Sequence, residues 1–439
     1  MSSQVASVSS IILRRRFFLP MVPHSVVSRE RTPWSDVINR AGSPYNTVSL
    51  RRLMLTQFGP AFPRLFAAAV LQEMSFALMV HFPGYLERLG VSEGTFGVLY
   101  AAAAATALAL RPAFGRVLDL AHRRTVLLFA GLLNAAFVLA LMATSAWGLL
   151  LWALFLAHRV LQIGLFTAML TYGADAIVEE RRTQGLAVFG ITGLVSIAAG
   201  GALGDIIINA SGFDGLFVAS AVAGLGSWAL VWTLPLLKIL GRSPRRGFFH
   251  ALMQKDLLPV WWITLSFSCG LETFFTFTRT FVEDRQVGSA GLFFGVYGVV
   301  AAATRLAGGK SYDRIPQRPL VMGAIVAYGA SLLLMAQAQG LAVFLAAAAV
   351  GGLAHGAVFP VLSSSVVHRA RASERGSAMS IFTSLFDISL LFSAPLVGGL
   401  IEGFSYAVAF SAMGVFLLAG GLVYSLWDRR LASSGAVAA

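Results

Sequence analysis

The chain has 439 residues, 57% hydrophobic and 12% charged, with a formal net charge of +13 and a mean hydropathy of +0.76. Soluble proteins carry about 25% charged residues, and no aqueous core of this length hides so much apolar surface, so the composition excludes a soluble fold. The basic excess sits in short segments between apolar runs, which is the pattern of cytoplasmic loops and not of a nucleic-acid surface.

Residues 1–60 differ from everything after them. Arg14, Arg15, Arg16, Arg29, Arg31, Arg40, Arg51 and Arg52 stand among serines and prolines, with Glu30 and Asp36 the only acids. Three readings compete. Arg15-Arg16-Phe17-Phe18-Leu19 fits a twin-arginine export pattern, although Pro20, Pro23 and His24 interrupt its apolar core. An arginine-rich, acid-poor start also fits an organelle transit peptide. The third reading, carried forward here, is a disordered basic tail, or translated sequence upstream of a start near Met54.

Twelve apolar segments follow, each near the roughly 20 residues that a helix needs to cross a bilayer. Their cores are Leu65–Phe82, Thr95–Leu110, Thr125–Met142, Gly148–Tyr172, Ala187–Ile208, Gly215–Leu237, Leu257–Phe281, Ala290–Ala307, Leu320–Ala336, Leu341–Val367, Ala378–Ile401 and Tyr406–Leu426. No β-barrel alternation is present, so helices are the spanning solution. The even-numbered connections carry the basic residues, and the positive-inside rule then puts both termini in the cytoplasm. The expected division is a tail (1–60), a six-helix bundle (61–237), a basic linker (238–256), a second bundle (257–430) and a C-terminal tail (431–439).

Two polar stretches repeat at one offset. Arg111, Gly115, Asp119 and Arg124 are answered by Arg305, Gly309, Asp313 and Arg318, since 305−111, 309−115, 313−119 and 318−124 all equal 194. Arg123 precedes Arg124 in the first copy. Gly200 and Gly204 correspond to Ala394 and Gly398 by the same offset. The chain reads as a duplication. Glycines at a tight turn allow close backbone approach, and Asp119 and Asp313 can bond the exposed N–H groups of a neighbouring helix end or pair with arginines.

With those residues in view, the sequence resembles the major facilitator superfamily of secondary transporters over about residues 60–430. The family's signature, Gly-x-x-x-Asp-Arg-x-Gly-Arg-Arg, stands here as Gly115 to Arg124, with Leu120 and His122 departing from it. Ala290-Gly291-Leu292-Phe293-Phe294-Gly295-Val296-Tyr297, followed by Arg305, looks like the broad-specificity proton-driven exporters, as does Phe386-Asp387 ahead of Ala394-Pro395. Those exporters carry a Gly-Pro pair in helix five where this chain has Gly200-Gly201. The resemblance implies an all-α membrane protein of two pseudo-symmetric six-helix bundles around a central cavity. It also implies alternating access, protons and a small organic substrate as partners, a functional monomer, and a place in the plasma (inner) membrane.

Charges inside apolar segments are expensive, roughly 2.5–3.5 kcal/mol each at a helix centre, and so mark function. Glu73, Arg159 and Asp387 fall near the midplane, and Glu272 in the outer part of the seventh segment with Arg279 beyond it. Glu73 is expected to carry the coupling proton with Arg159 as its partner, and Asp387 and Glu272 are the next candidates. His81, His158 and His355 could relay protons, but a single histidine on an apolar segment is more often only hydrogen-bonded. Cys269 is the one cysteine, which excludes an internal disulfide and a cysteine-cluster metal site. Gly308-Gly309-Lys310-Ser311 resembles the end of a phosphate-binding loop, but Thr304 replaces the required glycine and no strand precedes it. Neither ATP nor any cofactor is expected. An enzyme would need a nucleophile–base or metal constellation at one depth, and none is legible. Uptake by symport and a non-transporting sensor of the same fold are the alternatives.

Overall fold

The computed structural model describes residues 58–177, 185, 188–237, 248–308, 315–371 and 374–437. The predicted tail up to residue 57, linker residues 238–247, and Gly309 and Asp313 of the second motif copy lie outside the described residues, as does the side chain of Asp119.

The described residues are helical, without a strand. The first span is α1 (Phe62–Leu78) continued through a single tight turn, Met79–His81, into α2 (Phe82–Arg88). Pro63 and Pro83 open these two helices, where a missing N–H is harmless. Then come α3 (Glu93–Leu120), α4 (Arg123–Ala140), α5 (Leu149–Ala176) and α6 (Ile191–Trp232), which complete the first bundle. A short helix, α7 (Phe248–Leu252), belongs to the linker. The second bundle is α8 (Leu258–Arg285), α9 (Ala290–Gly308), α10 (Gln317–Ala336), α11 (Leu341–Arg369), α12 (Arg375–Gly403) and α13 (Tyr406–Val437).

Ten helices among the described residues are long and apolar enough to cross a membrane, against twelve expected crossings. Two features account for the difference. The 42-residue α6 is two helices broken at Gly212, whose φ of 69° and ψ of −165° are open to glycine and strained for other residues. The predicted fifth and sixth segments are thus joined almost without a loop. The other is α8, as long as its neighbours at 28 residues, but carrying Glu272, Arg279, Glu283, Asp284 and Arg285. Large apolar side chains such as Leu149 (85% exposed) and Phe129 (69%) stand outward, as a lipid-facing surface requires.

Several predicted boundaries are too short. The second segment does not stop at Leu110 but continues helical to Leu120, so Arg111, Gly115 and Asp119 occupy the last turns of α3 and the turn begins only at Ala121. α8 runs on to Arg285, which moves Glu272 from the outer part of its segment to its middle. The predicted C-terminal tail is helical as far as Val437. The reason is common to all three: an apolar run marks where a helix meets hydrocarbon, while backbone hydrogen bonding carries the helix on into the polar layer.

The bundles meet along two seams, α3 against α12 and the first half of α6 against α9. Both seams are packed on glycine. A Cβ on Gly97 would lie 2.9 Å from the carbonyl carbon of Ala394 and 3.2 Å from Cα of Pro395. On the other seam, a Cβ on Gly291 would lie 2.7 Å from the carbonyl oxygen of Gly201. The two glycines are related by the repeat offset, 291−97 = 194.

Candidate functional site

Charged side chains gather on the seams at three depths. The end of the molecule bearing Arg123 and Arg124 is called the basic end below, and the end bearing Arg88 and Arg285 the far end.

At middle depth, Arg159 of α5 lies over the ring of Phe76 at 5.0 Å and over that of Tyr100 at 5.7 Å. Both contacts are cation–π in geometry. Its electrostatic neighbours are Glu272 of α8 and Asp387 of α12, which belong to the opposite bundle. Glu73 is three residues from Phe76 on the same face of α1, half-buried, and makes no ion pair with Arg159. The expected Glu73–Arg159 pairing is therefore not made in this conformation: Phe76 and Tyr100 occupy the faces of the guanidinium, and the carboxylates bearing on it come from across the seam. Around this centre lie internal polar pairs, Gln72 with Gln162 at 3.1 Å and His158 with Asn134 at 2.9 Å. His355 is hydrogen-bonded to the Tyr297 hydroxyl at 2.8 Å, which in turn meets Tyr328 at 3.2 Å. His158 and His355 are thus held in hydrogen-bonded pairs.

Toward the basic end, Arg111 of α3 crosses to α12. Its Nε donates to Asp387 Oδ2 at 2.8 Å, and its terminal nitrogens donate to Thr383 Oγ1 and the Thr383 carbonyl, each at 3.2 Å. Arg305 makes the related crossing on the other seam, donating to the Gly190 carbonyl at 2.8 Å with the ring of Phe359 at 5.3 Å. The symmetry is incomplete: the position equivalent to Asp387 is 387−194 = 193, a glycine. The Arg111 crossing is an ion pair, and the Arg305 crossing includes a bond to a backbone carbonyl. The late arginines of the first motif copy work inside one bundle. Arg123 pairs with Asp175 at the end of α5 at 2.7 Å, and Arg124 donates to the Trp232 carbonyl at the end of α6. Arg318 stands at the start of α10, partly exposed.

At the far end lies a network that the sequence reading passed over. Asp205 of α6 accepts from the Gly291 backbone N–H at the start of α9, at 2.7 Å, and from Arg279 of α8 at 3.3 Å. His81 is fully buried, donates from Nε2 to the Gly201 carbonyl at 3.0 Å, and presents its Nδ1 to Asp205 at 3.6 Å. Arg279 also pairs with Glu283. Glu283 in turn lies against α2 at Gly84, and its charge bears on Glu87 one turn further along that helix. Asp205 is an acid inside an apolar segment, so the rule that selected Glu73 and Asp387 would also have selected it.

Among the described residues no group of three or more histidine, cysteine or acidic side chains could hold a metal ion. The chemistry available is ion pairing, hydrogen bonding and proton exchange across two seams, at both ends and at the centre.

Comparison with known proteins agrees with this architecture. The Major Facilitator Superfamily matches residues 65–316 and again residues 260–438, so each half of the chain is recognised. An uncharacterized MFS-type transporter of Burkholderia mallei (strain SAVP1) is 28% identical over 373 residues, covering 81% of this chain and 89% of the relative. Another, of Salmonella typhimurium, is 24% identical over 387 residues, covering 84% and 96%. Among solved structures, the POT family transporter PepTSo superposes with a TM-score of 0.72 at 9% identity, covering 84% of this chain and 98% of that one. The nucleoside transporter NupG gives 0.67 at 13%, covering 84% and 98%. These likenesses are likenesses of fold. With two six-helix bundles, a matched repeat and charged seams, the chain belongs to the Major Facilitator Superfamily, as an integral multi-pass membrane transporter.

Proposed function

We propose that this transporter exports a small organic molecule by alternating access, driven by protons, with the basic end in the cytoplasm of a plasma (inner) membrane and both termini on that side. The observation that carries the reading is the mid-depth placement of Arg159 opposite Glu272 and Asp387, with Asp387 also engaged by Arg111. A carboxylate between a cation and an apolar wall binds a proton to a degree set by its hydration and its distance from that cation. When the seams part at one end both change, so proton binding depends on the access state, and a ligand shifts an equilibrium only through such differential affinity.

In this reading Glu73 carries the coupling proton. Among the described residues it has no ion pair in this conformation and is free to take up a proton, while the carboxylates bearing on Arg159 belong to the opposite bundle; Glu272 and Asp387 are the second-line acceptors. The basic-end clasp comprises Arg111, Gly115, Asp119, Arg123 and Arg124 with Arg305, Gly309, Asp313 and Arg318. Export follows the likeness of Ala290–Tyr297 and Phe386-Asp387 to proton-driven exporters. Uptake by symport is the second reading, favoured by Gly200-Gly201 in place of the exporters' Gly-Pro.

The test is transport in proteoliposomes of the full chain, with an imposed proton gradient and a panel of cationic, neutral and anionic compounds. Accumulation should follow the gradient in the antiport sense. Glu73→Gln should abolish accumulation and spare substrate exchange. Accumulation by Glu73→Gln vesicles at the wild-type proton-to-substrate ratio would remove Glu73 from this role, and accumulation in the symport sense would reverse the direction.

A further inference from the structure

We propose that Glu87 and Glu283 together form a proton-binding site that closes the far end of the transporter. Glu87 lies on α2, in the first bundle, and Glu283 on α8, in the second. Gly84, three residues before Glu87 and so on the same face of α2, sits directly against Arg279 and Glu283: a Cβ there would lie 2.8 Å from Arg279 Nε and 3.4 Å from Glu283 Oε1. Glu283 thus stands within a turn of Glu87, and the charge of each bears on the other. Two ionised carboxylates have acceptors only and repel, so holding them together calls for one proton held in common.

The surroundings make this proton decisive. Glu93 of α3, Arg279 of α8 and Tyr406 of α13 also bear on Glu87. Arg279 is the one cation among them, and it is already shared between Glu283 and Asp205. Behind it, the fully buried His81 presents an unpartnered Nδ1 to Asp205. His81 marks the cluster as a place where protons and cations are contested and not as a plain acidic rim. A proton on His81 would draw Asp205 away from Arg279 and so act against closure. The proton held by Glu87 and Glu283 acts for it, by removing a like-charge contact that spans the seam there.

The carboxyls meet only when the far end is closed, so the closed state binds one more proton than the open one. Closure is therefore favoured as pH falls and lost as pH rises. In an exporter, a proton arriving from outside would close the far end behind the released substrate. The proposal rests on the proton-driven reading for that physiological sense alone, and the gate itself can be tested without substrate.

Spin labels at Ser145 and Gln339, exposed positions in far-end loops of opposite bundles, would be placed in a Cys269→Ala background and their separation measured in nanodiscs between pH 5 and 9. The longer-distance population should grow as pH rises. Glu87→Gln should hold the short distance across the range, because an amide donates where the shared proton did. Glu283→Gln should do the same, and Glu87→Gln, whose side chain is exposed, guards against misfolding from loss of the Arg279 pair. Asp205→Asn should shift the population toward the longer distance at every pH. A wild-type distance indifferent to pH, or an unchanged pH dependence in Glu87→Gln, overturns the proposal. Proton-driven transport can fail while this pH response survives, and that result would sink the transport reading and leave the gate.

Discussion

Arg111 shows how much one side chain decides in this molecule. It leaves α3, crosses the seam, and spends its guanidinium on Asp387 and Thr383 of α12. The pair is largely shielded, with 23% and 12% of the two side chains exposed. Removing one partner strands the other charge, while removing both leaves neither stranded. Asp387→Ala and Arg111→Ala should each lower stability by about 1–3 kcal/mol, and the double variant should lose less than the sum. Thermal unfolding in detergent, run as a double-mutant cycle, reads this directly. Strict additivity would mean that the two residues do not act as a pair. On the proposed mechanism transport should fall in both single variants, because there the clasp biases one access state. Charge inside an apolar run was legible for Glu73, Arg159, Glu272 and Asp387. Which carboxylate faces which arginine was not, because partners 276 residues apart in the chain meet only through the seam.

At the scale of elements, the seams work because their glycines let backbones touch. Gly97 sits against the Ala394 carbonyl and Gly291 against that of Gly201, so neither position has room for a methyl group. Gly97→Ala should therefore push α3 off α12, at about 1–3 kcal/mol for overpacking. The expected readout is faster labelling of a far-end cysteine and weaker transport. Gly399→Ala, about one helical turn from Ala394's neighbour Pro395 on a face with nothing within 4 Å, is the control and should behave as wild type. Equal labelling rates for both would show that the glycine seam does not limit opening. The repeat offset was legible in the sequence, and it carries Gly97 on one seam to Gly291 on the other, whose partner carbonyl is one residue beyond the position equivalent to Ala394. What the sequence concealed was the length of the helices. Arg111, Gly115 and Asp119 looked like a polar turn because they are polar, yet they complete α3, since a helix needs no apolar side chain to satisfy its own backbone.

For the whole molecule, the remaining question is which way the charged ends point. With the basic end in the cytoplasm, a cysteine at Ser145 should label from outside and one at Met253 from inside, in a Cys269→Ala background. Both are exposed; Thr144, next to Ser145, is unsuitable because it is buried and bonded to Tyr85. Labelling from the same side would reject the orientation. The sequence alone determined the solvent, the helical solution and the duplication. Hydropathy, backbone hydrogen bonding and a fixed offset are properties that a linear chain carries with it. Only the tertiary structure decided that the carboxylates bearing on Arg159 are Glu272 and Asp387 of the opposite bundle, that Arg111 reaches Asp387 across the seam, and that Asp205 joins three helices at the far end. Those facts depend on how two bundles are laid together, and the distances that matter to charges are set by that packing and not by spacing along the chain.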